Sequence, residues 1–137
     1  MRKALFLGVL IALCYNSYGQ AKKTVAKPTL THPGKKVYEE FCLSCHQEDG
    51  LGVPGMNPPI SKTDWVLGDK ARLIKVLLKG LTAPVEINGD TFHNPMPQHA
   101  FLTDQQIADV LSYIRSNFGN NTTAVTVTEV KAARAAK

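Results

Sequence analysis

The chain has 137 residues with 16 Lys/Arg and 11 Asp/Glu, a formal net charge of +5, which is the length of one domain. The basic excess sits in the ends: from Gly34 to Gly119 eight Lys/Arg meet ten Asp/Glu, so the charge reads as solvated tails and gives no reason to expect a nucleic-acid partner. Only three cysteines occur, which leaves a four-ligand zinc site without its usual thiolates.

Arg2 and Lys3 precede the apolar run Ala4 to Cys14. That run is too short to span a bilayer in a mature chain, and it has the form of an export signal. Ser17-Tyr18-Gly19 places small residues at −3 and −1 of a cleavage site before Gln20. Residues 1–19 are therefore expected to be removed, giving a periplasmic protein. Lipidation at Cys14 is the weaker alternative, because Leu13 before it is bulky. Residues 20–33 are polar and lysine-rich and read as a flexible leader, His32 included.

Pro33-Gly34 opens a helix in which Val37, Tyr38, Phe41, Cys42 and Cys45 recur at helical spacing. The helix runs into Cys42-Leu43-Ser44-Cys45-His46, a C-x-x-C-H. Two thiols within about one turn can reach the two vinyl groups of one porphyrin, and the adjacent histidine can ligate its iron from the same side. A redox dithiol would want a βαβ context, which the pattern lacks. One covalent haem c through Cys42 and Cys45 is expected, with His46 on the iron. Export agrees with it, since covalent haem c is assembled outside the bacterial cytoplasm.

Residues 47–59 are broken by Gly and Pro and read as loop. Asp69 can cap a helix over 70–79 that Gly80 ends. Leu73, Ile74, Val76, Leu77 and Leu78 make this helix apolar over most of its surface, as a helix buried or covering a large apolar ligand would be. Residues 81–100 are mostly loop, with a small hairpin around Asn88-Gly89. Thr103-Asp104-Gln105-Gln106 is a capping box. The helix after it carries Ile107, Val110, Leu111, Ile114 and Phe118 on one stripe, and Gly119 closes it. Residues 120–137 read as a peripheral tail in which Thr128 can cap a short helix, 129–135. Three helices hold too few apolar side chains for a self-sufficient core, so the chain is expected to need its haem to fold.

A second iron ligand is sought among Met56, Met96, His32, His93 and His99. Met96 lies between Pro95 and Pro97, which fix the backbone around a weak thioether ligand. His93 and His99 are the competitors, stronger donors only three residues away. Met56 is expected at the haem edge.

With these residues in view, 34–119 resembles a class I monohaem cytochrome c. The segments Gly52-Val53-Pro54-Gly55, Pro58-Pro59, Asp64-Trp65-Val66, Leu78-Lys79-Gly80-Leu81, Met96-Pro97 and Ile107 to Arg115 are similar to one branch of it. That branch includes cytochrome domains associated with copper nitrite reductases and quinoprotein dehydrogenases. The resemblance implies an all-α fold, three main helices around a covalently bound haem, and His46 and Met96 as its iron ligands. It implies that the Pro59 carbonyl accepts the proximal imidazole N–H, with Pro58 as the other choice, and that Trp65 lies near the haem propionates. Gly34 and Tyr38 match the residues where the first helix meets the last at Val110 and Tyr113. The pattern departs before the methionine, where Asn94-Pro95 replaces a common glycine. The implied function is single-electron transfer between periplasmic or membrane redox proteins, with no enzymatic turnover and no membrane span in the mature chain. The alternative is a dedicated electron-transfer subunit of a quinoprotein dehydrogenase, nitrite reductase or terminal oxidase. A gas-binding or peroxidatic haem protein would need an open distal site, which a stable Met96 ligand would deny.

Overall fold

A computed structural model describes residues 31–136. The expected signal sequence 1–19, Cys14, the cleavage site and most of the leader lie outside the described residues. The elements are α1 (Pro33–Phe41), α2 (Leu43–His46), α3 (Asp64–Leu67), α4 (Lys70–Lys79), β1 (Val85–Ile87), β2 (Asp90–Phe92), α5 (Asp104–Ser116) and α6 (Val127–Ala135). The architecture is helical with one small antiparallel hairpin, in which Val85 pairs with Phe92 and Ile87 with Asp90. Asn88 and Gly89 form its two-residue turn, both at positive φ, which matches the twist of the flanking strands.

Pro33 starts α1, where a missing N–H costs nothing. His32 is the N-cap rather than part of a linker. Its Nδ1 accepts the Gly34 N–H at 3.2 Å, and its ring lies 5.5 Å from that of Tyr113. Cys42 interrupts the helix for one residue, yet its N–H reaches the Tyr38 carbonyl and the His46 N–H reaches the Cys42 carbonyl. The haem motif therefore continues α1 with a slight break.

The helix α1 crosses α5 at Gly34. A Cβ there would stand 2.0 Å from the Asp109 carbonyl oxygen and 2.8 Å from Tyr113 Cβ. Only a residue without a side chain permits that approach. Tyr38 fills the space beside the crossing, with ring centroids 5.7 Å from Tyr113 and 5.0 Å from Phe118. Its hydroxyl donates to the Gln47 carbonyl at 2.6 Å, which ties the end of α2 back to α1.

The capping box at Thr103 and Gln106 is formed. The stripe Ile107, Val110, Leu111 and Ile114 is buried. The helix ends at Ser116, short of Phe118, because Asn117 is extended and its side-chain amide caps the Tyr113 carbonyl; Phe118 and Gly119 then turn to positive φ.

The C-terminal segment is not peripheral. Val125 and Val130 belong to the core, at 5% and 0% exposure, and each is worth about 1.5–3 kcal/mol of burial. The cap of α6 is Thr126, not Thr128: its hydroxyl accepts the Glu129 N–H, and the Glu129 carboxylate accepts the Thr126 N–H. Thr126-x-x-Glu129 is a capping box in the sequence itself.

Arg115 ties this segment to the rest. It is 2% exposed. Its guanidinium donates to the carbonyls of Val66, Gly68 and Thr123 and to the Thr122 hydroxyl. Arg115→Leu would keep the bulk and strand the buried Val66 carbonyl, with the partly buried Gly68 and Thr123 carbonyls beside it. The expected loss is about 3 kcal/mol or more, a large share of the 5–15 kcal/mol typical of a domain. Denaturant unfolding of the holo-protein checks this. A variant within about 0.5 kcal/mol of wild type would show that the carbonyls find other partners.

Candidate functional site

Elements from both halves of the chain leave a cleft of about 1150 Å³, its open mouth included. Cys42, Cys45 and His46 from α1–α2 line it. So do the loop 57–60, the start of α3 and the α5 residues Leu111 and Ile114. Leu73, Val76 and Leu77 of α4, Val85 and Ile87 of the hairpin, and Met96 and His99 complete the lining. This divides the apolar surface of α4 in two. Ile74 and Leu78 face the packed core alone, whereas Leu73 and Leu77 belong to that core and also line the cleft, as Val76 does.

The cleft thus gathers two thiols, an imidazole and a thioether among apolar side chains. Cys42 and Cys45 are free thiols. Burial, and then the neighbouring Cys45, push the Cys42 thiol up to about 12. A dithiol redox couple needs a depressed thiol pKa to make its thiolate, so the environment argues against that chemistry.

His46 Nδ1 lies 3.0 Å from the Pro58 carbonyl oxygen. The partner is therefore Pro58, not Pro59. Tight turning of the loop at residues 50–57, where the Val53 N–H bonds the Asn57 carbonyl, brings the Pro58 carbonyl over the imidazole, while Pro59 lines the cleft. Donation from Nδ1 fixes the tautomer and leaves Nε2 as the lone-pair nitrogen. Burial first, and then nearby His99, lower the His46 pKa against the raising effect of the Pro58 bond. A neutral imidazole is the form a metal requires.

Met96 is pinned by its backbone. Its N–H donates to the Leu81 carbonyl at 2.8 Å, and its carbonyl accepts the Leu81 N–H at 2.9 Å. Gly80 permits this pairing. It sits at φ +70°, and a Cβ there would be 2.5 Å from the Met96 carbonyl oxygen. Its competitors separate on position. His93 is exposed and does not line the cleft, whereas His99 does. Met56 is half exposed and outside the cleft, so the expectation that it lines the haem edge is not met; the turn carrying it points the side chain outward.

Trp65 lines the cleft. The Arg72 guanidinium lies 4.6 Å above its ring centroid, a cation–π contact that no sequence spacing announced. Two buried polar atoms in this region have no partner, Arg72 Nε and His99 Nδ1. Buried polar groups are rarely left so, and His99 lines the cleft, where a ligand with polar edges would offer its Nδ1 a partner.

Among the described residues no three His, Cys, Asp or Glu side chains converge as a metal site. An iron ion held by His46 and Met96 would need four more donors, the number a porphyrin brings. The residues present thus fit a haem: thiols for the vinyl groups, an imidazole and a thioether as donors to iron, and apolar walls.

Residues 31–118 match the family model for cytochrome c. Cytochrome c-552 of Thermus thermophilus is 37% identical over 91 residues, covering 64% of this chain and 69% of that protein. The gluconate 2-dehydrogenase cytochrome c subunit of Pantoea cypripedii is 33% identical over 119 residues, 84% of this chain and 27% of the subunit. The cytochrome c subunit of a quinone alcohol dehydrogenase from Gluconacetobacter polyoxogenes is 34% identical over 109 residues, 75% of this chain and 23% of the subunit. This chain therefore spans about a quarter of the dehydrogenase subunits it matches.

Proposed function

The chain belongs to the cytochrome c family, with haem c as cofactor and electron transfer as its work, and we propose how its own residues serve that role. Cys42 and Cys45 would hold the porphyrin, and His46 and Met96 would ligate its iron. Haem c, when bound, supplies a single-electron iron couple. The observation that carries the reading is one apolar cleft lined jointly by the C-x-x-C-H and a methionine whose backbone is paired to Leu81. The Pro58 carbonyl holds the His46 ring and raises its basicity. The walls from α4, the hairpin and α5 keep water from the iron, and Trp65 with Arg72 suits the anionic edge. A carrier of this design gains and loses an electron without changing ligands, so it transforms no substrate of its own.

The partners we propose are redox proteins of the exported compartment, a dehydrogenase, reductase or oxidase. A second reading, a dedicated subunit of a quinoprotein dehydrogenase, is favoured by the names of the relatives just given. The export signal at 1–19, a leader from 20 to 31 and a haem domain that opens at the His32 cap of α1 belong to the same proposal. The core position of Val125 and Val130 supports treating 120–137 as part of that domain. No helix among the described residues is long and apolar enough to cross a membrane.

Acid-acetone extraction tests the attachment. The haem should stay with the protein, one per chain, with a c-type pyridine haemochrome. Haem passing into the organic phase would sink the reading of Cys42 and Cys45.

A further inference from the structure

We propose that Arg134, on the C-terminal helix α6 beyond the matched region 31–118, is a positioning residue that restrains the loop carrying Met96 and so sets how readily the methionine leaves the iron. The proposal rests on the reading of Met96 as an iron ligand.

Residues 93–102 contain no helix or strand. The loop is held at its start by the Met96–Leu81 pair and in its middle by the His99 N–H, which donates to the Leu77 carbonyl at 2.7 Å. Past His99 the chain turns outward: Phe101 is 67% exposed before Leu102 returns to the core at 4%. Arg134 fixes the exposed turn between His99 and Leu102. Its Nη1 donates to the Ala100 carbonyl at 3.0 Å and its Nη2 to the Leu102 carbonyl at 2.9 Å. Its Nε donates to Asp104 Oδ1 at 2.8 Å, in the first turn of α5. One planar fork thus fixes both sides of the exposed turn and the start of the next helix, a geometry lysine could not reproduce.

The platform beneath Arg134 is firm. Val130 anchors α6 in the core, and Lys70–Glu129, at 3.0 Å, ties its first turn to α4. For a thioether to leave iron, its loop must move. Restraint four to six residues downstream makes the displaced state rarer. This is a shift in population between a ligated and an open form.

Carbon monoxide binding to the ferrous holo-protein reads that open form. Arg134→Ala should bind carbon monoxide about tenfold faster than wild type, in proportion to a tenfold larger open population. Lys70→Ala, which loosens the other end of α6 without touching the loop, should leave the rate unchanged even where it lowers the melting temperature. In a Met96→Ala background the iron is already open, so adding Arg134→Ala should change the rate no further. An Arg134→Ala rate equal to wild type would overturn the proposal. So would equal acceleration in both backgrounds, which would mean general loosening of the cleft, or equal acceleration by Lys70→Ala, which would mean lost stability alone. If wild type itself lacks the near-infrared band of Fe(III)–thioether, the Met96 reading has failed, and that result appears before any Arg134 variant is made.

Discussion

Replacing both thiols, Cys42→Ala with Cys45→Ala, and freeing the chain of non-covalent haem should leave a protein of low helicity that proteases degrade rapidly. The reason lies in how the cleft is built. Leu73, Val76 and Leu77 line it, as do Ile87 and Leu111, and Leu73, Leu77 and Leu111 are core residues as well. Without a plate to fill the cleft, its lining loses packing partners on that side, and a void left at even one core side chain costs about 2–5 kcal/mol. The whole stability of a domain this size is about 5–15 kcal/mol. The core residues off the cleft, among them Tyr38, Ile74, Leu78, Ile107, Val110 and Val130, form a small domain core and do not offset the loss. Circular dichroism and limited proteolysis check the outcome. A double variant that melts cooperatively at a temperature near the holo-protein's would show that the helices hold one another without the cofactor.

Local chemistry made most of this fold legible in sequence. Asp69 and Gly80 bound α4 as their cap preferences require. Thr103 and Gln106 mark the start of α5, and Asn88-Gly89 marks the hairpin. What the sequence did not yield depends on contacts across long separations. Whether Pro58 or Pro59 offers its carbonyl to His46 is decided by how the loop folds over the imidazole, and the two prolines look alike in one dimension. The Arg72–Trp65 stack and the five hydrogen bonds that Arg134 and the Arg115 side chain make to main-chain carbonyls are likewise tertiary. The C-terminal segment is a different case. Thr126-x-x-Glu129 was readable as a capping box, but its Ala- and Lys-rich continuation hid Val130, which with Val125 docks the segment in the core. His93 and His99 are equivalent by distance from Met96 in sequence, and only the folded chain sends one into the cleft and the other to solvent.

The oxidised holo-protein should show the weak near-infrared charge-transfer band of Fe(III)–thioether, and Met96→Ala should abolish it. The pairing of Met96 with Leu81 holds its backbone in a two-residue bridge, and Pro95 and Pro97 remove much of the freedom the segment would otherwise have. Little ordering entropy then opposes a weak ligand. His93→Ala should leave the band intact, since that residue is exposed and off the cleft. His99→Ala is the demanding test, because His99 lines the cleft and its Nδ1 has no partner. If sulfur is the ligand, the band survives this substitution too. If His99 is the ligand, wild type shows a bis-histidine spectrum from the start, electron transfer stands, and the expected potential falls, since methionine raises it relative to a second imidazole. Carbon monoxide separates the remaining possibility. Ferrous wild type should bind it slowly near neutral pH and Met96→Ala should bind it readily. Immediate binding by wild type would mean that the distal side is open, and the chain would then be a ligand-binding or catalytic haem protein rather than a carrier.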